Sequence, residues 1–244
     1  MNPSTLFAFV FTTAFLSCPL ASSAKDISPA PSTDSSQEFF TEKVQDSFTP
    51  ESMLAELKER NRQFVEGAEP IHHTKERIEK AAHGQHPGAV ILSCLDSRVP
   101  VEDVFHSGIG DLFVLRVGGN VATPEVLGGL EYACEVAGSK VIIVMGHSGC
   151  GAVKAAIDNV ELGNITSMVQ PIREAVEDLS DFEGEKTSKN PEFVEAVCRE
   201  NIQNVIEDIR TQSPILQKLE NAKEILIVGA EYNLHSGEVL FFDK

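Results

Sequence analysis

The sequence predicts an α/β fold in which a mostly parallel central β-sheet is flanked by helices. Four short runs of mostly apolar residues occupy residues 89–93, 112–117, 141–145 and 225–228. Such runs are typical of strands that are buried on both faces. Segments with helical periodicity separate them, and this alternation favours parallel pairing. A fifth apolar stretch, residues 239–242, is predicted to form an edge strand.

The helices are predicted from capping residues and from apolar periodicity. Thr49-Pro50-Glu51 begins one helix, because Thr can cap it, Pro suits the first helical position and Glu favours the helix dipole. Gly67 is expected to end this helix, and Thr123-Pro124-Glu125 begins another in the same way. Periodicity predicts three more helices, over residues 150–156, 164–179 and 192–211.

Two N-terminal segments are predicted to precede the folded domain, which is expected to span residues 49–244. Residues 1–24 are typical of an export signal, with an almost wholly apolar run from Leu6 to Leu20 and small residues at the end. That run is short for a bilayer span, so no membrane span is expected in the mature chain. Residues 25–48 are predicted to be a flexible polar linker. The protein is therefore expected in the periplasm, with secretion as the alternative.

The charge of the chain argues against a nucleic-acid partner. The 244 residues include 37 acidic side chains and 20 Lys or Arg, which gives a net charge of −17. Because phosphate binding requires clustered basic residues, no nucleic acid is expected. The chain has no Trp and two Tyr, so no aromatic platform for stacking bases or sugars is expected either.

Three residues with metal-binding side chains follow two of the predicted strands. Cys94 comes directly after residues 89–93, whereas His147 and Cys150 come shortly after residues 141–145. Ligands of open α/β sheets bind outside the carboxyl ends of the strands, so these side chains are expected to converge. Two thiolates and one imidazole suit Zn²⁺, and three protein ligands leave a fourth position open, as in catalytic sites. The sequence predicts one catalytic Zn²⁺ per subunit.

Asp96 and Arg98 are the candidate catalytic residues beside this site. We expect Arg98 to hold Asp96 ionised, so that the carboxylate accepts a hydrogen bond from zinc-bound water. Zinc lowers the pKa of such water to about 7 and generates hydroxide near neutral pH. In the alternative, Asp96 itself binds zinc as a fourth ligand and closes the site. An ordinary surface ion pair is the simplest alternative.

The motif Cys94-Leu95-Asp96-Ser97-Arg98, followed by His147-Ser148-Gly149-Cys150, resembles the signature of the β-class carbonic anhydrases. The resemblance runs from about residue 50 to the C-terminus and suggests an exported bacterial member. It implies a β-carbonic anhydrase catalytic domain over residues 49–244 that assembles as a homodimer or a dimer of dimers. It also implies reversible hydration of CO₂ to bicarbonate and a proton by attack of zinc-bound hydroxide. Four more segments are similar to the family: residues 84–87, 110–114, 116–120 and 131–133.

The resemblance further implies a substrate pocket that is built across the dimer interface. Carried over by position, Gln85 would donate a hydrogen bond to a substrate oxygen, and Phe113 and Tyr132 would form an apolar wall suited to CO₂. Both aromatic residues could equally be core residues. Gly118 would line the pocket at a position where some relatives carry a bulkier residue. Ile91 stands where relatives with a regulatory bicarbonate site carry Trp, so that site is expected to be missing.

Several alternatives stay open on the sequence alone. Relatives that hydrolyse CS₂ or COS share the same ligands, so the ligands do not discriminate between substrates. A structural zinc module would need Asp96 as a permanent fourth ligand and would leave Arg98 without a role. Cys134 and Cys198 either form a disulfide or, as we favour, are two buried helix residues. Cys18 leaves with the export signal unless it carries a lipid anchor.

Overall fold

The structure, a computed structural model, describes residues 39–72 and 74–242. The predicted export signal and residues 25–38 of the predicted linker lie outside this range. In the described part, five strands form one sheet with the order β2-β1-β3-β4-β5. Strands β1 to β4 pair in parallel, and β5 runs antiparallel to β4, which confirms the predicted sheet. The strands are β1 (Ala89–Ser93), β2 (Leu112–Arg116), β3 (Val141–His147), β4 (Leu226–Tyr232) and β5 (Val239–Phe241).

The two central strands explain the continuous apolar runs of the sequence. Every residue of β1 and β3 is buried, because packed elements cover both faces of the sheet. Val90 and Val144 face one hydrophobic core, whereas Ile91 and Ile143 face the other. The outer strand β2 is only half-buried. The carboxyl ends of β1 and β3 are therefore held side by side in the most buried part of the fold.

Helices surround the sheet and largely follow the predicted pattern. Thr49 and Thr123 cap their helices as expected, each accepting a hydrogen bond from the backbone N–H three residues later. A 3-10 turn, Gly118–Asn120, follows β2, and a π-helical turn, Tyr132–Val136, follows α5. The helices are α1 (Glu42–Ser47), α2 (Pro50–Val65), α3 (Lys75–Ala81), α4 (Val101–Val104), α5 (Pro124–Glu131), α6 (Gly151–Ile157), α7 (Gly163–Val169), α8 (Ile172–Asp178), α9 (Pro191–Gln212) and α10 (Pro214–Asn221).

The helical content of the structure differs from the prediction in two ways. The single helix expected over residues 164–179 is broken into α7 and α8, with Pro171 at the boundary. Proline has no N–H to donate and its ring clashes with the preceding turn, which accounts for the break. Helices α3, α4 and α10 were not predicted. Within the described ranges, none of the helices has the length and apolar character that a bilayer-spanning segment needs.

The end of the predicted linker is folded. Residues 42–47 form α1, and Thr41 caps this helix by accepting a hydrogen bond from Val44 N–H. Phe40 is buried and stacks on Phe48 with 5.7 Å between the ring centroids. The prediction of a flexible linker was therefore wrong for residues 39–48. It relied on the polar composition of residues 25–48 and did not take the packing of Phe40 and Phe48 into account.

Candidate metal centre and substrate pocket

The three predicted metal ligands converge at the carboxyl edge of the sheet. The ligand atoms of Cys94, His147 and Cys150 all lie within 4.8 Å of one another. All three residues are at most 4% exposed. Strands β1 and β3 pair through Ser93 and Met145, so Cys94 and His147 are held by neighbouring strand ends. The sheet itself thus sets the distance between two of the three ligands.

A sharp turn brings the third ligand back to the same point. Gly149 has a φ of +64°, a backbone conformation that residues with a side chain rarely adopt. The preceding Ser148 ties this turn to the end of β4: its N–H donates to Tyr232 O, and its hydroxyl accepts from Leu234 N–H, each at 3.0 Å. Cys150 follows directly and begins α6. Because of this turn, the Cys150 side chain points toward Cys94.

The donor set fits a zinc ion. Cys94 Sγ and Cys150 Sγ are 3.8 Å apart. Two sulfurs bound at about 2.3 Å to a tetrahedral Zn²⁺ are separated by about 3.8 Å. His147 Nδ1 lies 3.1 Å from the Ser148 carbonyl, whereas His147 Nε2 is buried and has no hydrogen-bond partner in the described part of the chain. If Nδ1 carries the proton, the lone pair of Nε2 is free for a metal.

The two thiols of the cluster differ in acidity. A hydrogen bond from Cys150 lowers the pKa of the Cys94 thiol, and the Gly119 N–H, 3.5 Å from Cys94 Sγ, acts in the same direction. The same hydrogen bond and burial raise the pKa of Cys150, since the pair shares one proton. Thiolate is the form that binds metal, so Cys94 is prepared as a ligand.

Arg98 holds Asp96 beside the cluster in a bidentate ion pair. Arg98 Nε donates to Asp96 Oδ1 at 2.9 Å, and a terminal guanidinium nitrogen donates to Oδ2 at 2.7 Å. The Arg98 backbone N–H donates to Oδ1 as well. These bonds hold the pKa of Asp96 well below its usual range. Asp96 Oδ2 is also 3.8 Å from His147 Nε2, so the ionised carboxylate faces the space that the three ligand atoms surround.

Sequence reasoning missed the residues that support this centre. The Arg116 guanidinium donates to the carbonyls of Cys94 and Asp96. Asn201 on α9 donates to Gly119 O at 3.0 Å, and the N–H of the same glycine faces Cys94 Sγ. Asn201 and Gly119 are 82 positions apart, so no local pattern could reveal their contact. Arg116 lies in a segment similar to the family, which was the one available signal.

The residues of the predicted pocket wall form a second group. Gln85 Nε2 is 3.4 Å from the Tyr132 hydroxyl, and the rings of Phe113 and Tyr132 meet edge to face at 6.1 Å. Gln85 is exposed and Tyr132 is 48% exposed. Over residues 39–72 and 74–242, no hydrogen bond or ring contact joins this group to the three candidate ligands or to Asp96. The predicted site thus has two halves that do not bond to each other in the described chain. One is the metal centre, and the other is the pocket wall of Gln85, Phe113 and Tyr132.

Gly118, the fourth residue carried over to the pocket, lies against Met168. It is buried in the 3-10 turn next to Gly119, and a Cβ there would lie 2.5 Å from Met168 Sδ. The space that a larger residue would take is therefore filled by Met168.

The other two described cysteines, Cys134 and Cys198, are buried free thiols, which confirms the favoured alternative to a disulfide. Burial raises the pKa of each to about 12.

Comparisons with known proteins agree with this geometry. The carbonic anhydrase family model matches residues 89–239. A carbonic anhydrase of Mycolicibacterium smegmatis is 36% identical over 186 residues, which cover 75% of this chain and 88% of the relative. The solved structure of the β-carbonic anhydrase CcaA is 29% identical with a TM-score of 0.62, and the match covers 78% of this chain and 95% of that one.

A β-carbonic anhydrase from Sordaria macrospora that is described as tetrameric has a TM-score of 0.61. The two sequences are 23% identical, and the match covers 68% of this chain and 86% of the Sordaria chain. At this identity, the likeness supports the fold and no more. The family model matches more than half of the chain, and a curated relative is more than 30% identical over three quarters of it. The chain therefore belongs to the carbonic anhydrase family. The protein is an enzyme of the β-class carbonic anhydrases, which are zinc lyases of the carbonate dehydratase type.

Proposed function

We propose that this enzyme hydrates CO₂ reversibly to bicarbonate and a proton, with one Zn²⁺ per chain bound by Cys94, His147 and Cys150. CO₂ hydration is the reaction expected of the family. The observation that carries the proposal is the buried three-ligand cluster beside an ionised Asp96. A site with three protein ligands and an open position is typical of catalytic zinc.

Zinc in such a site lowers the pKa of a coordinated water to about 7, which supplies a nucleophile for CO₂ at neutral pH. The residues of this chain would orient the reacting water and hold the metal in place. Asp96, kept ionised by Arg98, remains a hydrogen-bond acceptor next to the open position. Because both Asp96 oxygens are engaged by Arg98, the geometry favours an open site over a site in which Asp96 is the fourth ligand. Burial of the three ligand side chains would shield their bonds to the metal from bulk water.

We further propose that Gln85, Phe113 and Tyr132 of one protomer complete the site of its partner in a homodimer or a dimer of dimers. Two observations support this arrangement. The wall residues have no bond or ring contact with the candidate ligands of their own described chain, and Gln85 and Tyr132 are exposed. Exposed apolar residues near both groups, Leu95 at 57% and Val136 at 68%, would gain from being covered.

The other substrates and roles have less support. Hydrolysis of CS₂ or COS would use the same ligands, but the curated relatives are carbonic anhydrases. A structural zinc module would need Asp96 on the metal, whereas Arg98 engages both of its oxygens. For the location of the enzyme, we propose export to the periplasm, or secretion, on the composition of residues 1–24 alone.

Stopped-flow measurement of CO₂ hydration by purified, zinc-loaded protein tests the proposed function. We expect rapid hydration that falls by about a thousandfold or more in Cys150→Ala, together with loss of bound zinc. Cys134→Ala is the matched control, because Cys134 is another buried thiol outside the cluster, and its activity and zinc content should stay close to wild type. No CO₂ hydration by the zinc-loaded wild type would refute the proposal, and assays with CS₂ and COS would follow.

A further inference from the structure

Helix α1 carries a buried glutamine that links two distant segments. Gln45 is 5% exposed. Its side-chain Nε2 donates to Pro87 O at 2.8 Å and to Ala137 O at 2.7 Å. An amide nitrogen has two hydrogens, so both are used, and neither carbonyl is left without a donor. Helix α1 precedes residues 89–239, which the family model matches, so the link comes from outside that region.

The two carbonyls belong to the segments that carry Gln85 and Tyr132. Pro87 is two residues after Gln85. Ala137 ends the π-helical turn Tyr132–Val136, and its N–H donates to Tyr132 O at 3.0 Å. The side chains of Gln85 and Tyr132 are 3.4 Å apart at their nearest polar atoms. Gln45 therefore fixes the backbone on both sides of this contact.

Aromatic residues anchor α1 on either side of Gln45. Phe40 and Phe48 stack on each other, and Phe40 is buried. Phe40 also packs against Gly88, where a Cβ would lie 2.7 Å from the Phe40 ring. The absence of a side chain at Gly88 lets α1 approach the loop that follows Gln85. The position of Gln45 is thus set by packing and does not depend on its own hydrogen bonds alone.

We propose that Gln45 is a positioning residue for the substrate pocket, because it sets the spacing between Gln85 and Tyr132. The inference rests on the proposed role of those two residues. The side chains of Gln85 and Tyr132 are exposed, so the backbone beneath them sets their positions. The Ser139 hydroxyl also donates to Pro87 O at 3.1 Å, whereas Gln45 is the side chain that bonds both Pro87 O and Ala137 O. A wall that is held in place needs less ordering when substrate binds, which favours binding.

Gln45→Leu tests the proposal, with Asn61→Leu as a matched control. Leu is similar to Gln in volume and cannot form the two hydrogen bonds. Asn61 is also 5% exposed, and its Nδ2 also donates to two backbone carbonyls, those of Val104 and Gly237. Both variants should lower the melting temperature. We expect kcat/KM for CO₂ to fall about tenfold in Gln45→Leu, mainly through a higher KM, and to stay within about twofold in the control.

A double-mutant cycle separates positioning from general destabilisation. In a Gln85→Ala background, Gln45→Leu should lower kcat/KM by less than about twofold, because the residue through which it acts is gone. A full tenfold further loss in that background would overturn the proposal. Equal losses of kcat/KM in Gln45→Leu and Asn61→Leu would overturn it as well.

Hydrogen exchange gives a result that does not depend on the proposed function. In Gln45→Leu, amide exchange should accelerate in peptides that cover residues 84–88 and 132–139, and the Asn61→Leu protein should show no such change there. If the wild-type enzyme hydrates CO₂ but exchange in these peptides is unchanged, the role of Gln45 is refuted and the function stands. If exchange accelerates but no zinc-loaded protein hydrates CO₂, the link is real and the proposed function fails.

Discussion

The candidate metal centre and the pocket wall are built in opposite ways. Cys94, His147 and Cys150 are almost wholly buried at the ends of the two central strands. Gln85 and Tyr132 lie on the surface and are joined by one long hydrogen bond. The metal-binding half is therefore organised by the fold of a single chain, whereas the wall, in the arrangement that we propose, becomes a pocket only when the surface of a partner covers it.

The supports of the two halves differ in the same way. Arg116, Asn201 and Gly119 surround the Cys94 side of the metal centre with hydrogen bonds from three elements. The wall depends on a short loop, a π-helical turn and the amide of Gln45. Substitutions at the metal centre should thus lower zinc affinity or the rate of the chemical step, and substitutions at the wall should raise KM for CO₂.

Among substitutions that leave the three candidate ligands in place, the largest effect is expected for Arg98→Ala. Without the guanidinium, the Asp96 carboxylate loses both side-chain bonds that hold it beside the open position and becomes free to bind zinc. We expect kcat/KM to fall about a hundredfold, and Arg98→Lys to restore little, because Lys cannot form the bidentate pair. The measurement is stopped-flow CO₂ hydration.

Arg62→Ala is the matched control for Arg98. The Arg62 side chain is 54% exposed against 59% for Arg98, and it also forms ion pairs with carboxylates. Arg62 lies on α2, outside both halves of the site, so kcat/KM should be unchanged. Full activity in Arg98→Ala would contradict the role given to the Asp96–Arg98 pair.

A smaller effect is expected for Asn201→Leu, which removes the bond to Gly119 O but no ligand. The turn that directs the Gly119 N–H at Cys94 Sγ should loosen, and zinc affinity should fall about tenfold, as for other residues that support metal ligands. Competition with a chelator measures this. Asn204→Leu on the same helix, where Asn204 contacts the exposed Asp178, should bind zinc normally. Equal affinity in both variants would mean that the turn is held by packing alone.

The smallest effect is expected for Tyr132→Phe. The ring and its contact with Phe113 remain, and only the hydroxyl that meets Gln85 at 3.4 Å is lost. We expect KM for CO₂ to rise about threefold with kcat unchanged, since this contact is long and exposed. Tyr232→Phe, which alters the other tyrosine of the chain, is the control. A loss confined to kcat would place Tyr132 with the metal centre instead of the wall.

Sequence reasoning was most successful where the sheet decides the geometry. Cys94 and His147 follow apolar runs that form buried parallel strands, so the convergence of the two residues could be predicted from the strands alone. The grouping of Gln85, Phe113 and Tyr132 came only from the family resemblance, because these residues lie on a loop, a strand and a π-helical turn. Their separation from the metal ligands within one chain has no local signature.

The features that were missed depend on contacts between distant parts of the chain. Gln45 meets Ala137 across 92 positions, and Asn201 meets Gly119 across 82. Helix α1 was not predicted because its composition is polar, and two stacked aromatic rings are a weak signal in a segment rich in Ser and Asp. Such contacts follow from the packed fold and cannot be read from periodicity or capping.

Active-site complementation tests the central claim, that the metal centre of one protomer is completed by the wall of another. A protein with Cys150→Ala lacks the metal centre, and one with Gln85→Ala and Tyr132→Ala lacks the wall. Each should have little activity alone. We predict that hybrids formed by co-expression regain activity, because one of the two sites then combines an intact metal centre with an intact wall. Hybrids that form but remain as inactive as the two parents would contradict this account.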